Sequence, residues 1–187
     1  EGVRSITYDP AHPVPTLGGA VYWGLEHRGP VDQRPNLDRA DVLCFRSAPL
    51  ERALTVIGEP RLDLHIICDR QDTDLVARLC VEEPTGAVIC LSLGSIRCRF
   101  RNSASTPEPL SPGDPTSVGV RLGQTAYTFP SGSRIVVTLT SSDFPRILPH
   151  PNHMGPLFEG EVLIAQTQIL HGSSFSSRLE LPVIDDV

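Results

Sequence analysis

In RIVVTLTS, residues 134–141, Ile135, Val137 and Leu139 alternate with Val136, Thr138 and Thr140. This is the two-residue period of a strand with one buried and one partly wet face. The run breaks at Ser141-Ser142-Asp143 and ends on Phe144-Pro145-Arg146. Pro145 has no N–H to give a ladder, so the strand is predicted to stop there. A Pro- and His-rich loop follows over 147–156. A core strand delivering a decorated loop is a common way for a β-sandwich to present function.

The same patterning predicts further strands at 41–46, 53–57, 61–67, 74–82, 88–93, 95–101, 116–122, 161–170 and 178–184. Leu62, Leu64 and Ile66 alternate with Asp63 and His65, and Leu75, Ala77, Leu79 and Val81 share a face against Arg78 and Glu82. In 95–101, Ile96, Cys98 and Phe100 point one way and Arg97, Arg99 and Arg101 the other. Gly58-Glu59-Pro60, Glu83-Pro84-Thr85-Gly86, the stretch 107–113 and Pro130-Ser131-Gly132 punctuate these runs. Short strands separated by turn signals predict an all-β sandwich or barrel.

Residues 8–39 carry no strand or helix pattern beyond a weak helical run at 19–26. Pro10, Pro13, Pro15 and Pro30 favour extended conformations and turns. The segment nevertheless holds Val14, Leu17, Tyr22 and Trp23. A structureless stretch this long is expected to lie along a surface. The division is therefore a Pro-rich extended N-terminal arm, 1–40, and a sandwich, 41–187. The opening EGVRSITYDP reads like the middle of a longer protein, so an excised domain is expected.

Composition narrows the function classes. Aromatic residues make up 5% of 187, so Val, Ile and Leu must fill the core. The net charge of -6 argues against a nucleic-acid partner. All 16 basic residues are Arg, which excludes Schiff-base chemistry. No apolar run approaches the ~18–20 residues of a membrane span. Five cysteines form no CxxC pair; Cys68, Cys80, Cys90 and Cys98 fall in strand-like runs and are expected to be buried, reduced and slow to react. That points to a reducing, cytoplasmic setting.

No G-x-S-x-G elbow, H-E-x-x-H, phosphate loop or G-x-G-x-x-G occurs. His150-Pro-Asn-His153 could bind zinc if Asp143 or Glu159 joined. A proline between the two imidazoles gives no helical face to fix them, so no metal or cofactor is expected. Asp69, Asp72 and Asp74 resemble a calcium loop, but Asp72 and Thr73 are expected to cap a turn just before a strand. The Arg97/Arg99/Arg101 row is expected to be a solvated strand face.

Six stretches together resemble the C-terminal, non-catalytic domain of the Xaa-Pro dipeptidyl-peptidase, cocaine-esterase and α-amino-acid ester hydrolase family of serine hydrolases. They are YDPAHPVPTLGG (8–19), GPVDQR (29–34), DVLCFRSAPL (41–50), DTDLVARL (72–79), RCRFRNS (97–103) and SSDFPR (141–146). The resemblance implies a jelly-roll, galactose-binding-like β-sandwich behind an α/β-hydrolase domain that carries the catalytic triad. It supplies no catalytic residue to this chain, and HPNH departs from the family's plainer loop. Read with it, Tyr22 and Trp23 of the arm and Asp143, Phe144, Arg146, His150 and His153 of the loop become candidate cleft or domain-interface residues. The expected partners are the upstream hydrolase domain, a second copy in a homodimer, and the small acyl-ester or peptide substrate of the parent enzyme, with no membrane. The alternative is a free-standing carbohydrate-binding jelly roll, for which one Trp and three Tyr make a poor stacking platform.

Overall fold

Two antiparallel sheets enclose one apolar core, and a third small sheet closes one side. The computed structural model describes residues 2–19 and 28–184. Tyr22, Trp23 and residues 20–26 of the weak helical run lie outside them.

The first sheet holds β1 (Gly2–Tyr8), β10 (Ala165–His171), β4 (Arg61–Cys68), β11 (Arg178–Glu180) and β7 (Thr116–Arg121). The second runs in the order β2 (Leu43–Arg46), β9 (Arg134–Thr140), β5 (Asp74–Glu82) and β6 (Val88–Arg97). The third is β12 (Val183–Ile184), β3 (Leu54–Gly58) and β8 (Thr125–Phe129). Alternation decides what goes inside. Ile6, Leu62, Leu64, Ile66, Val118 and Val120 of the first sheet meet Leu75, Leu79, Val137 and Leu139 of the second. The chain is thus an all-β sandwich.

Several predicted boundaries move. The runs 88–93 and 95–101 are one strand, β6, ending at Arg97, followed by a single 3-10 turn at Cys98–Phe100. Leu181 and Pro182 split 178–184 into β11 and β12, since Pro182 cannot donate to a ladder. β1 and β8 carry no strand prediction. In β1 only Ile6 and Tyr8 are buried, and the strand exists through its pairing with β10. A four-residue helix, α1 (Arg34–Leu37), also breaks the expected featureless arm; Pro35 sits in its first turn, where its missing N–H costs nothing.

The outer face of the second sheet is covered, not wet. Cys80, Val88 and Val136 are buried there against Leu37, Cys44 and Cys90. The arm supplies much of the cover: Gln33 N–H donates to Val88 O at 2.7 Å, and Asp32 bridges Ile89. Val14, grouped by its sequence with residues awaiting a partner domain, is fully buried within this chain.

Candidate functional site

β9 ends at Thr140, and the chain then turns through Ser141, Ser142 and Asp143, all buried. The arm clamps this turn. Val14 N–H donates to Ser142 Oγ at 2.9 Å, Phe144 N–H to Val14 O at 2.9 Å, and Thr16 N–H to Phe144 O at 2.7 Å. Thr16 Oγ1 in turn donates to the Asp143 carbonyl at 3.0 Å.

Beneath the turn lies a buried charge cluster. Arg78 projects from the outer face of β5 and donates through Nη2 to Asp143 Oδ1 at 2.7 Å, with the two side chains 3% and 0% exposed. Arg146 Nη1 lies 3.5 Å from Asp143 Oδ2, and its Nη2 donates to Gly18 O. Two guanidiniums therefore share one carboxylate. Asp143 Oδ2 accepts no hydrogen bond among the described residues, and neither does Arg146 Nε donate one. Arg78 and Arg146 also line a groove of about 850 Å³ running along β6 past Leu17, Cys90 and Tyr127.

A second cluster pins the far end of the loop. Asp72 accepts the Arg99 backbone N–H at 2.8 Å through Oδ1, while Oδ2 takes the Arg99 side chain and His150 Nε2, the latter at 3.0 Å. His150 Nδ1 accepts the Asn152 N–H at 2.9 Å, so the ring proton sits on Nε2. Asn152, at φ 63°, is the residue type that tolerates a left-handed turn. Its side chain accepts from Thr73 Oγ1 at 2.9 Å and donates to Leu163 O at 2.6 Å. Arg99 reaches on to the carbonyls of His153 and Met154 at 2.7 and 2.9 Å, and Tyr8 Oη accepts the His150 N–H at 3.0 Å. Burial pushes the Tyr8 hydroxyl up, keeping it protonated.

These contacts correct two expectations. The Arg97/Arg99/Arg101 row is not a solvated ladder: Arg97 pairs with Asp74, Arg99 with Asp72, and Arg101 with the carbonyls of Cys98, Glu108 and Pro109. Nor does Asp72 cap a turn next to itself; it holds a segment 27 residues away. The warning in the sequence was Arg78, a cation within the apolar run LVARLCV, since a buried charge demands a partner.

The sequence-predicted residues divide by depth. Asp143 and His150 are buried, Arg146 and His153 partly so, and Phe144 is 43% exposed. Both His150 nitrogens are engaged, leaving no lone pair for a metal or for proton abstraction. His153 Nδ1 accepts the Gly155 N–H at 3.0 Å, and Asp143 is committed to arginine. The arrangement holds a loop; it does not activate a nucleophile. Outward, this stretch exposes five large apolar side chains, Phe144, Leu148, Phe158, Val162 and Ile164, beside Glu159 and Glu161.

Asp72 gives the loop an acid limit. Burial alone would raise its pKa, yet the hydrogen bonds from His150 and Arg99 hold it below the usual carboxylate range. A carboxyl depressed in the folded state stabilises the fold above its unfolded pKa of about 3.9, and that contribution fades as pH falls through the lower folded value. Chemical denaturation as a function of pH should show stability falling below about pH 4, with a shallower acid slope in Asp72→Asn. Equal slopes in the two proteins would exclude Asp72 as the source.

The model of the X-Pro dipeptidyl-peptidase C-terminal non-catalytic domain matches residues 5–180. Cocaine esterase of Rhodococcus sp. (strain MB1 Bresler) is 34% identical over 187 residues, covering 98% of this chain and 33% of that protein. Among solved structures, an α-amino acid ester hydrolase superposes with a TM-score of 0.87 at 27% identity, covering 98% of this chain and 33% of that one. An aminopeptidase from a marine sediment archaeon, Thaumarchaeota archaeon, superposes with a TM-score of 0.86 at 25% identity, with the same two coverages. The chain spans about a third of the length of the relatives it matches.

Proposed function

Because the chain belongs to the family of X-Pro dipeptidyl-peptidase C-terminal non-catalytic domains, we propose that it scaffolds an upstream α/β-hydrolase domain and forms part of the rim of that domain's substrate cleft. The parent protein in this reading is a serine hydrolase acting on a small acyl ester or an Xaa-Pro peptide, and it works as a homodimer. Beyond β1, which belongs to the first sheet, the described part of the arm packs on the sandwich.

One observation carries the proposal: the loop after β9 is fastened from below by buried ion pairs while its apolar side chains face outward. Holding Phe144 and Leu148 exposed on such a rigid base is what a preformed contact surface requires, since large exposed apolar patches mark interaction sites. His150, Asp143 and Arg146 act from beneath, holding the rim, and Phe144 makes the contact. The alternative of a carbohydrate-binding module draws little support, because Tyr8 is buried and Tyr127 stacks edge-on against Phe129 with ring centroids 5.2 Å apart.

Steady-state kinetics of the full-length protein test the reading across several acyl groups and an Xaa-Pro anilide. Phe144→Ala and Leu148→Ala should raise KM about fivefold or more, roughly 1 kcal/mol of lost contact, with kcat nearly unchanged. Wild-type KM, substrate preference and thermal stability in both variants would reduce the loop to a connector.

A further inference from the structure

The outer face of the second sheet carries an arrangement that a contact surface does not need. β5 and β6 pair antiparallel, and the register slips between Leu79 and Cys80: Leu79 faces Ser92, but Cys80 faces Cys90. The bulge leaves Leu91 as the extra residue and brings two thiols directly opposite each other. Directly opposed residues of an antiparallel pair have Cα atoms about 4.5–5.5 Å apart, inside the range of about 4.4–6.8 Å that disulfides span. Cys80 is fully buried, whereas Cys90 is half-buried and lines the groove along β6 beside Arg78 and Arg146. Cys44 packs against the same cluster but is not paired in register with either thiol. Cys44 faces Thr138 across β2 and β9, Cys80 faces Val136 on its other side, and Cys68 and Cys98 are buried in the sandwich core.

We infer that Cys90 and Cys80 form a peroxide-oxidisable dithiol, with Cys90 the attacking and Cys80 the resolving thiol. The Cys90 thiolate attacks one oxygen of hydrogen peroxide, the O–O bond breaks, and hydroxide leaves to be protonated to water. Cys90 is then a sulfenic acid. The Cys80 sulfur, as it loses its proton, attacks the Cys90 sulfur; the S–O bond breaks, a second water leaves and the S–S bond forms. The two thiols lose two electrons and two protons, and one peroxide is reduced to two waters.

The electrostatics run in the same direction. The adjacent Cys80 sulfur, with Arg78 and Arg146 nearby, holds the Cys90 thiol below its ordinary range against the opposing effects of burial and Asp143, while the Cys90 S–H itself donates to Ser92 O at 3.6 Å. The neighbouring Cys90 sulfur, together with burial, pushes the Cys80 thiol well up. A thiolate stabilised by adjacent cations and open to a groove is where peroxide reacts first. The sequence alone places every strand cysteine among the inert ones; the bulge singles this pair out.

The test is mass spectrometry on the purified chain treated with limiting hydrogen peroxide, alkylated and cleaved at arginine without reduction. Cleavage after Arg78 and Arg97 leaves both thiols in the single peptide 79–97. It should lose two hydrogens and resist alkylation, while Cys44, Cys68 and Cys98 remain alkylatable after unfolding. Further cleavage at Glu82 or Glu83 should then give two fragments joined by one disulfide. In Cys80→Ser, Cys90 should stop at the sulfenic acid and be trapped by dimedone; in Cys90→Ser, or Cys90→Ala should the serine variant misfold, Cys80 should stay reduced. Before oxidation, Cys90 should alkylate at least about tenfold faster than Cys68 or Cys98. A fully alkylatable 79–97 peptide under peroxide that oxidises the other thiols, or a sulfenic acid on Cys90 that Cys80 never resolves, overturns the assignment. The wild-type measurement decides the matter even if every variant fails to fold, and it is independent of whether a hydrolase domain docks on the loop.

Discussion

Replacing Asp143 with Ala should cost about 3–5 kcal/mol, the usual consequence of stranding a buried charge. Arg78 is 3% exposed and its hydrogen bond among the described residues is to Asp143, so the truncation leaves a largely buried guanidinium between sheet and arm without its counter-ion. Arg146 loses the same carboxylate. For a domain of this size, each kcal/mol lowers Tm by about 2–4 °C, giving a drop on the order of 10 °C. The pair as a whole contributes much less than this, because two ions must be desolvated to make it. Arg78→Met combined with Asp143→Leu should therefore recover most of the loss. Thermal and denaturant unfolding of the two singles and the double close the cycle. Singles each within about 1 kcal/mol of the parent would mean that water reaches the pair and that the loop is not anchored as described.

Gly94→Ala should be the other severe change, although Gly94 adopts an ordinary strand conformation. A Cβ there would overlap the carbonyl oxygen of Arg121 and come within 2.7 Å of its carbonyl carbon and 3.0 Å of the Leu122 Cα. These are backbone atoms at the end of β7, where the first sheet approaches the second, and no rotamer change can move them aside. Overpacking typically costs 1–3 kcal/mol, and about 3 kcal/mol is expected here because the conflict is with backbone. Gly119→Ala is the matched control, as a Cβ there meets only the movable end of the Arg61 side chain at 3.0 Å. Its stability should stay within about 1 kcal/mol of the parent. Equal losses in both would point to strand entropy lost with glycine, not to the close approach.

What the sequence disclosed follows from what each element depends on. β5 is legible to the residue, 74–82, because its core face repeats every second position and acidic residues bound it. β4, β7 and β9 are nearly as clear for the same reason. β1 is not, because GVRSITY has two buried positions in seven and owes its conformation to β10. The candidate loop was visible as a place, since Pro145 and the histidines mark it. Its anchoring was not, since Arg78–Asp143 and Asp72–His150 join residues 65 and 78 positions apart. Local pattern holds no information on such pairs. It did assign Arg78 to an outward face, correctly as to direction, but could not foresee that the arm and the loop would cover it, nor that Arg99 would sit in a 3-10 turn beyond the strand.

The pairing of β1 with β10 also orders events in time. Tyr8 sits opposite Ala165 and Gly2 opposite His171, so these partners are separated by 157 to 169 residues of chain. Translation proceeds at about 5–20 residues per second, so β1 waits roughly 8–30 s on the ribosome before the strand it needs has been made. Through that interval Ile6 and Tyr8 have no sheet to enter, although β5, β6 and β9 can already associate. The long loop to be closed makes this step slow relative to the local hairpin of β5 and β6. A nascent chain released early would therefore carry a preformed second sheet and an unpaired first strand, an open template for the same strand of a neighbour. Pairing with β10 takes up one edge of β1 and gives Ile6 and Tyr8 a sheet to enter.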